Sequence, residues 1–137
     1  MKINSSQKKY HSQNHLTYSC QYHVIFCPKY RRKILVNGID TRLKELLFEI
    51  ARKYRFKIIE IEVMPDHVHL LIDCNPRFGI MNCVCKLKGI SSTMLRKEFP
   101  ILKQTMPTLW TRGIFISSVG SVSLDIVKKY IENQKQS

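Results

Sequence analysis

Residues Phe56 to Cys74 read FKIIEIEVMPDHVHLLIDC, and this stretch decides the fold. Both of its halves are rich in β-branched and other apolar residues, which favour extended strands. Between the halves stand Pro65 and Asp66, a pair typical of tight turns. The stretch therefore predicts a β-hairpin. The residues of its first half alternate as in a strand with one face exposed to water. Ile59, Ile61 and Val63 are expected on one face, and Ile58, Glu60 and Glu62 on the other, wet face.

The chain before the hairpin predicts one strand and one helix. Thr17 to Cys27 (TYSCQYHVIFC) is rich in β-forming residues and is followed by Pro28, so it is expected to be a strand. Asp40 is a plausible N-cap for a helix. An apolar stripe with helical spacing follows it, made of Leu43, Leu46, Leu47, Ile50, Ala51 and Tyr54.

The chain after the hairpin predicts a helix, a short strand and a last helix. Ile80 to Phe99 is expected to form the helix, and Pro100 closes it. Ile114 to Ser118 is expected to form the strand. The last helix is expected to follow a cap at Ser121 or Ser123 and to continue almost to the end of the chain.

The order of these elements, β-α-β-β-α-β-α, indicates an α+β fold. The first six elements match the ferredoxin-like arrangement, an antiparallel four-stranded sheet with helices on one face, and the C-terminal helix is an addition. A chain of 137 residues fits one domain, residues 1–137. Within it we expect a flexible polar arm over residues 1–15 and the added helix over residues 121–137.

Charge and cysteine usage narrow the partners and the compartment. The chain has 23 Lys and Arg against 10 Asp and Glu, a net charge of +13, so nucleic acid is the expected partner. No apolar run approaches the roughly 20 residues that span a bilayer, so no membrane partner is expected. The N-terminus is polar rather than a secretory signal, and the cysteines contain no CxxC pair. Both observations indicate a cytoplasmic protein with reduced thiols.

Two histidines lie in the second strand of the hairpin. Because side chains alternate across a strand, His67, His69 and Leu71 are expected to share one face, while the other face is apolar and meets the helices. Two imidazoles about 7 Å apart at the backbone could converge on one divalent cation. From this motif alone, two histidines on a partly exposed face without a ligand remain the alternative. Leu71 stands where histidine-triad nucleotide hydrolases need a third histidine, which excludes that class.

The last helix carries a candidate nucleophile and a further candidate ligand. Tyr130 and Gln134 are one helical turn apart, so they lie on the same face. A tyrosine hydroxyl becomes a nucleophile once its proton is removed or a cation is near, and a glutamine oxygen is a ligand for hard metal ions. Periodicity alone favours the alternative that Tyr130 packs in the apolar stripe of the helix beside Ile126, Val127 and Ile131.

Four blocks of the chain together resemble the single-tyrosine HUH transposases of the IS200-like insertion sequences. They occur in the family's order and span nearly the whole chain, which makes the resemblance far more specific than the two histidines. Many family members continue further beyond the glutamine, so functions of a longer tail are not carried over to this chain. The blocks are Tyr22 to Leu35 (YHVIFCPKYRRKIL), Val63 to Asp73 (VMPDHVHLLID), Lys86 to Pro100 (KLKGISSTMLRKEFP) and Leu109 to Gln134 (LWTRGIFISSVGSVSLDIVKKYIENQ).

The resemblance implies a DNA transposase that cuts and rejoins single-stranded DNA at hairpins near the ends of its element. By likeness to the family, His67, His69 and Gln134 would hold one Mg²⁺ or Mn²⁺ ion. Tyr130 would form a 5′-phosphotyrosine intermediate and release a 3′-hydroxyl, and no ATP is needed because the ester bond is conserved. The family acts as a homodimer, so each active site is expected to combine the histidines of one subunit with the tyrosine helix of the other.

Two neighbours of the histidines have simpler interpretations. Asp66 could orient a histidine from outside the metal's own ligands, but a role in the hairpin turn is preferred. His23, in the first strand, is interpreted as a structural residue. Neither is expected to take part in the chemistry directly.

Basic and aromatic residues are candidates for DNA contact. Phosphate contact is the functional interpretation of each cation, and a solvated charged surface is the alternative for any one of them. Phe78 and Trp110 could also stack on unpaired bases, although core packing explains Trp110 at least as well. The predicted DNA-binding residues are Lys29, Tyr30, Arg31, Arg32 and Lys33 in one loop and Lys86, Lys88 and Arg96 along the second helix.

Two other interpretations of the same residues remain. A related HUH endonuclease, such as a replication initiator, a relaxase or a domesticated repeat-associated transposase, would share the chemistry and differ in the DNA that it recognises. A non-catalytic nucleic-acid-binding domain could share the ferredoxin-like fold. That second interpretation leaves Tyr130 and Gln134 without a role.

Overall fold

The computed structural model describes residues 11–13, 16–18, 20–119 and 124–134 of the 137-residue chain. The strands are β1 (His11–Gln13), β2 (Leu16–Tyr18), β3 (Gln21–Phe26), β4 (Lys57–Met64), β5 (His67–Asp73) and β6 (Phe115–Ser118). The helices are α1 (Ile39–Lys53), α2 (Ile80–Glu98), α3 (Pro100–Thr105) and α4 (Leu124–Asn133), and a 3₁₀ turn spans Lys29–Arg31. No helix in these ranges is long and apolar enough to cross a bilayer.

Four strands form one antiparallel sheet in the order β4-β5-β3-β6. β5 pairs with β4 on one side and with β3 on the other, and β6 lies along the far side of β3. With α1 between β3 and β4 and α2 between β5 and β6, this is the predicted ferredoxin-like arrangement. The α+β fold class is therefore confirmed. β1 and β2 form a separate small hairpin.

One face of the sheet packs against α1 and α2 and forms the hydrophobic core. Val68, Leu70 and Ile72 of β5 are fully buried in it, as the alternation of that strand predicts. Leu43 and Leu47, from the apolar stripe of α1, are fully buried in the same core. Burying one such leucine contributes about 1.5–3 kcal/mol. The core therefore fixes the sheet firmly and leaves its opposite face for function.

A β-bulge in β4 corrects the predicted alternation of that strand. Ile58 and Glu60 lie opposite consecutive residues of β5, so Ile59 is an extra residue in β4. The bulge turns Ile58 into the core, where it is 7% exposed, so the wet face predicted for Ile58 is wrong. Glu60 and Glu62 keep the opposite face of the sheet, which also carries the histidines.

The N-terminal part of the chain is divided differently from the prediction. Instead of one strand over residues 17–27, β2 ends at Tyr18 and β3 begins at Gln21. Residues 11–13, part of the predicted arm, form β1 and pair with β2. Residues 1–10 and 14–15 of that arm lie outside the described residues.

α1 begins after Gly38 rather than at the predicted cap, Asp40. Gly38 has a φ of 95°, a left-handed conformation that suits a residue without a Cβ atom. Asp40 lies in the first turn of the helix, and its Oδ1 accepts a hydrogen bond from the backbone N–H of Gly38. Asp40 therefore stabilises the start of α1 from inside the helix, where a negative charge also suits the helix dipole.

Pro100 ends α2 as predicted, but it also begins a helix that the sequence did not predict. Proline fits the first turn of a helix because its missing N–H is not needed there. α3 follows from it and runs to Thr105. The predicted caps Ser121 and Ser123 lie outside the described residues, while α4 agrees with the predicted last helix.

The face of the sheet opposite the core carries the histidines and receives α4. Strand pairing sets His69 of β5 beside Ile25 of β3, and Ile25 beside Phe115 of β6. These three residues form one row, which separates His69 from Phe115 by about 10 Å. The ring of Tyr130 in α4 packs on Phe115, with ring centroids 5.0 Å apart. α4 therefore lies over the same face as the histidines.

Candidate active site

A cavity of about 760 Å³ lies over the histidine-bearing part of the sheet. Strands β4 and β5, the turn between them, the loop after β3 and helix α4 all contribute to its wall. It therefore collects imidazoles, carboxylates and cations from five parts of the chain. Its polar lining consists of Arg31, Glu60, Glu62, Asp66, His67, His69, Lys128 and Glu132.

His67 is held by a carboxylate of the preceding turn. Its Nδ1 lies 2.9 Å from Oδ1 of Asp66. Because a carboxylate only accepts hydrogen bonds, Nδ1 carries a proton, so Nε2 is the nitrogen left to bind a cation. The other carboxylate oxygen of Asp66 lies 2.9 Å from Nε of Arg31. Asp66 lies in the hairpin turn, as preferred from the sequence, and it also orients His67.

His69 is a neutral, half-buried imidazole with an unsatisfied nitrogen. Burial, together with the neighbouring rings of His23 and His67, lowers the pKa of His69 to about 4. The ring is therefore uncharged at neutral pH. Within the described structure its buried Nε2 has no hydrogen-bond partner. A neutral imidazole is the form that binds a metal ion.

His23 is a close neighbour of this pair. Its ring centroid lies 5.6 Å from that of His69, because β3 and β5 are paired. The side chain is 4% exposed, and burial lowers its pKa. The structural interpretation of His23 fits this burial. The residue also contributes to the site, since a second ring at this distance disfavours a proton on His69.

Tyr130 and Gln134 meet at Gly113, just before β6. A Cβ atom on Gly113 would lie 3.5 Å from the Tyr130 hydroxyl and 3.3 Å from Oε1 of Gln134. Burial raises the pKa of Tyr130 to about 12. The hydroxyl is buried and has no hydrogen-bond partner among the described residues. In this arrangement the tyrosine is a sheltered, protonated phenol.

The four predicted site residues come together as two pairs rather than as one group. His67 and His69 line the cavity, whereas Tyr130 and Gln134 face away from it toward β6. The side of α4 that lines the cavity carries Lys128, which lies well round the helix from Tyr130. The histidine pair and the tyrosine pair thus share one face of the sheet, about two strand spacings apart.

The residues present fit a divalent cation provided that Gln134 joins the histidines. Among the described residues, no three His, Cys, Asp or Glu side chains are grouped to hold a metal. His67 and His69 supply two nitrogens, one oriented by Asp66 and the other buried and unsatisfied. An amide oxygen from Gln134 would complete the predicted set. The amide oxygen suits Mg²⁺ and Mn²⁺, whereas imidazole nitrogens are more usual ligands of first-row transition ions.

Comparison with known proteins decides the family. Residues 16–134 match the family model described as Transposase IS200 like. The chain belongs to the IS200-like transposase family. It is 38% identical over 119 residues to the ISDra2 transposase TnpA of Deinococcus radiodurans, covering 85% of each chain. It is 31% identical over 122 residues to the transposase for insertion sequence element IS200 of Salmonella typhimurium, covering 88% of this chain and 80% of that one.

Two solved structures share the fold of this IS200-like transposase. A 1.90 Å crystal structure of a Deinococcus radiodurans protein described as a transposase matches with a TM-score of 0.82 at 33% identity, covering 90% of this chain and 96% of that one. A REP-associated tyrosine transposase bound to a REP hairpin matches with a TM-score of 0.55 at 11% identity, covering 82% and 62%. The family predicted from the sequence is confirmed, and with it the class of a DNA-cutting transposase.

The transposase exposes part of its predicted DNA-contacting set. The side chain of Tyr30 is 52% exposed, and the Lys29 ammonium lies 5.1 Å from its ring centroid. Lys33, in the same loop, is exposed. On α2, the Lys86 ammonium lies 5.2 Å from the ring centroid of Tyr54. These groups are accessible to a DNA strand, and their contact with DNA stays a prediction.

Other cations of that set are bonded inside the transposase. Nζ of Lys88 donates a hydrogen bond to the carbonyl of Thr111 at 2.7 Å, and burial lowers its pKa. Arg96 and Arg32 donate to backbone carbonyls at 3.2 Å and 3.3 Å. The accepting carbonyls all lie between the end of α3 and β6. These cations therefore brace the segment that leads to Gly113.

Trp110 belongs to the core of the transposase. It is 7% exposed, and its indole N–H donates a hydrogen bond to Oγ of Ser91 at 3.1 Å. Its ring packs edge-on against Phe26, with centroids 4.7 Å apart. The core-packing alternative for this residue is the one observed.

Sequence reasoning missed three features of the site. The contact of Arg31 with Asp66 joins segments that are distant in sequence, and no local pattern marks it. Gly113 matters because it lacks a side chain, which leaves no signal in a search for reactive groups. His23 was assigned a structural role only. Its place beside His69 could have been found, because the predicted strand order pairs the two strands that carry these residues.

Proposed function

We propose that the chain cleaves and rejoins single-stranded DNA through a covalent bond to Tyr130. The phenolic oxygen attacks the phosphorus of a phosphodiester and loses its proton, and a 5′-phosphotyrosine forms. The bond to the 3′ oxygen breaks, and that oxygen takes up a proton to leave as a 3′-hydroxyl. The 3′-hydroxyl of another strand reverses these steps, so the ester bond is conserved and no ATP is consumed.

The observation that carries the proposal is the unsatisfied nitrogen of His69 on the sheet face that α4 covers. A buried polar atom without a partner is costly, and such atoms in native proteins call for a functional reason. The hydroxyl of Tyr130 over the same face is buried and without a hydrogen-bond partner in the described structure as well. Two incomplete groups on one face suit a site that is completed by its substrate and its cation.

His67, His69 and Gln134 are the residues that would hold the cation, Mg²⁺ or Mn²⁺. When bound, it would polarise the scissile phosphate and offset its negative charge. Two imidazoles and an amide are neutral ligands, so the ion would keep its full charge. Asp66 supports this site by orienting His67. The lowered pKa of His69 supports it by keeping that ring unprotonated.

The position of Tyr130 supports a composite site in a homodimer. With a pKa of about 12 the phenol stays protonated at neutral pH, whereas a nearby cation would lower its pKa. The reaction therefore requires α4 to carry Tyr130 and Gln134 from Gly113 to a histidine pair. We propose that this pair belongs to the partner subunit, so that each active site takes its histidines and its tyrosine from different chains.

Single-stranded DNA with hairpins is the proposed substrate, acted on in the cytoplasm. The net charge of +13 suits a polyanion, and exposed Tyr30 beside Lys29 offers a surface for an unpaired base. A tyrosine transposase with the same fold binds a REP hairpin. We propose that this chain also acts on DNA that contains a hairpin.

A covalent adduct between protein and DNA tests the proposed reaction. The protein is incubated with Mn²⁺ and a labelled single-stranded oligonucleotide carrying one end of the element, then resolved on a denaturing gel. Wild type should give a shifted band, and Tyr130→Phe should give none while still binding the hairpin. Tyr54→Phe, at the end of α1 and far from the cavity, is the matched control and should keep the band. An undiminished band from Tyr130→Phe would assign the nucleophile to another residue.

Mixing two inactive variants tests the composite site. Tyr130→Phe and His67→Ala should each be inactive alone. In mixed dimers, one site would combine intact histidines from the first variant with an intact tyrosine from the second, so adduct formation should return. No recovery after subunit exchange would show that the tyrosine acts on the histidines of its own chain.

Binding of Mn²⁺ tests the metal assignment separately. His67→Ala should lose most of its affinity for Mn²⁺ and should form no adduct, because one of two nitrogen ligands is gone. Its affinity for the hairpin should stay close to that of wild type. Equal losses of hairpin and metal binding would instead assign a structural role to His67.

A further inference from the structure

The guanidinium of Arg31 joins two parts of the site that are distant in sequence. Its Nε lies 2.9 Å from Oδ2 of Asp66, and its Nη1 donates a hydrogen bond to the carbonyl of Ile131 at 2.7 Å. The remaining oxygen of Asp66 holds Nδ1 of His67. A continuous chain of polar contacts therefore runs from α4 through Arg31 and Asp66 to His67.

These contacts are sheltered from water. The side chains of Arg31 and Asp66 are 10% and 14% exposed. Partial burial reduces screening by solvent, so the two groups depend on each other more than an exposed ion pair does. An arginine also presents a rigid, planar set of donors that can hold a carboxylate and a carbonyl at once, which a lysine does not. The residue type thus matches the bridging geometry.

The contact with Ile131 falls at the end of α4. The last carbonyls of a helix have no partner within the helix and carry the negative end of its dipole. α4 ends at Asn133 and, in its described last turn, has no basic residue of its own. Arg31 therefore supplies the cation and the donor that this end of α4 lacks.

The backbone around Arg31 is held in a strained shape. Tyr30 and Arg31 have φ values of 60° and 50°, a left-handed conformation that is unfavourable for residues other than glycine. The turn is anchored by the N–H of Lys29, which donates to the carbonyl of Leu109 at 2.8 Å. Strain of this kind persists where the surrounding structure requires it and is frequent at functional sites. Here it brings the guanidinium between Asp66 and α4.

We propose that Arg31 is a positioning residue that couples the docking of α4 to the orientation of His67. The inference rests on the proposed function for the role of His67 as a metal ligand and for the departure of α4. While α4 is docked, the hydrogen bond to the Ile131 carbonyl restricts the guanidinium of Arg31. The Nε atom of Arg31 is thereby kept next to the carboxylate of Asp66. When α4 leaves, Arg31 loses that anchor, and the orientation of His67 is less restricted. Because coupling is reciprocal, loosening Asp66 must also loosen α4.

Hydrogen exchange of the α4 amides in the metal-free protein tests this coupling without reference to activity. Arg31→Gln should raise exchange over residues 124–134 on the order of tenfold, because a hydrogen bond from a charged donor is lost. Asp66→Asn should raise exchange in the same helix by a smaller factor. This second effect is the diagnostic one, since in the described contacts Asp66 is linked to α4 through Arg31.

Three further variants sharpen the test. Lys33→Gln removes one positive charge from the same loop, and Glu62→Gln removes one negative charge from the same cavity. Both residues are exposed, and neither variant should change exchange in α4. Arg31→Lys keeps the charge but holds one partner at a time, so it should give an intermediate increase. It also guards against misfolding of the Gln variant.

The Nδ1–H resonance of His67 provides an independent readout by NMR. Arg31→Gln should shift this resonance, and Lys33→Gln should leave it in place. The proposal is overturned if Asp66→Asn leaves exchange in α4 at the wild-type level. It is also overturned if Arg31→Gln weakens hairpin binding to the same extent as Lys33→Gln but changes neither the amide exchange of α4 nor the His67 resonance. Failure of the proposed function would appear separately, as a wild-type protein that forms no covalent adduct.

Discussion

Gly113 packs against Tyr130, and a methyl group on it would lie in van der Waals contact with the phenolic oxygen, at 3.5 Å. The same methyl group would lie 3.3 Å from Oε1 of Gln134. The backbone of Gly113 is not in the left-handed region that favours glycine. Space, rather than backbone freedom, is therefore the reason for a glycine at this position.

Substituting Gly113 should loosen α4. Gly113→Ala should force Gln134 to shift slightly. Gly113→Val should displace Tyr130 as well, because its branched side chain would occupy the space of the phenol. Limited proteolysis within residues 124–134 should become faster in the order wild type, Ala, Val. A Gly113→Val protein with wild-type proteolysis would show that Tyr130 does not dock there in solution.

Gly89 offers a matched control for that experiment. It lies within α2, and a Cβ atom on it would meet nothing within 4 Å. Alanine is favoured over glycine in a helix by about 1 kcal/mol. Gly89→Ala should therefore raise the melting temperature and leave the proteolysis of α4 unchanged.

Tyr130→Phe should not destabilise the fold, although it removes the proposed nucleophile. The hydroxyl is buried without a hydrogen-bond partner in the described structure, so its removal should change the free energy of unfolding by 0 to about +1 kcal/mol. Ser91→Ala is the contrasting variant, because the fully buried Ser91 hydroxyl accepts a hydrogen bond from the Trp110 indole at 3.1 Å and its loss should be destabilising. Urea unfolding of both variants at pH 7 measures the difference. A clear loss of stability in Tyr130→Phe would reveal a partner for the hydroxyl.

Alkaline pH should weaken the folded state through Tyr130. Burial raises the pKa of this phenol from 10.0 to about 12, so between these values the unfolded chain loses the proton and the folded chain keeps it. The contribution of Tyr130 to the free energy of unfolding is therefore fully present below pH 10 and is lost as the pH rises toward 12. At pH 11 the loss relative to pH 9 should be about 1 kcal/mol greater in wild type than in Tyr130→Phe. Equal losses in both proteins would show that the phenol is exposed to solvent.

Lys88→Met should act on stability rather than on phosphate binding. The partly buried ammonium donates a hydrogen bond to the carbonyl of Thr111, and its removal should cost about 1–3 kcal/mol. The salt dependence of hairpin binding should stay that of wild type. Lys86→Met, at an accessible position on the same helix, should reduce the salt slope by about one if Lys86 contacts a phosphate. A reduced slope for Lys88→Met would restore Lys88 as a DNA contact.

Much of the fold could be predicted because the spacing of apolar residues along the chain indicates strands and helices directly. The alternation of β5 identified both its core face and its histidine face, and the stripe in α1 identified the buried side of that helix. The bulge at Ile59 could not be predicted, since a one-residue insertion depends on how β4 pairs with β5. The cap at Gly38 was missed because Asp40 has the side chain of a typical cap and still lies inside the helix.

The site was predictable only as a set of reactive residue types. His67, His69, Tyr130 and Gln134 were recognised by their spacing and by resemblance, and their joint role stays a proposal. Their arrangement as two separate pairs depends on how α4 lies across the sheet, which sequence spacing does not encode. The same is true of Arg31, whose partners come from a turn and from the last turn of α4.

β4 is an edge of the sheet, and its bulge interrupts the row of backbone donors and acceptors that an edge strand offers to other chains. Glu60 and Glu62 add negative charge along the same strand. If two copies paired through their β4 strands, the glutamates of both copies would lie close together. The backbone donors and acceptors of the two strands would also fail to align at Ile59. Pairing of two copies through the β4 edge is thereby disfavoured.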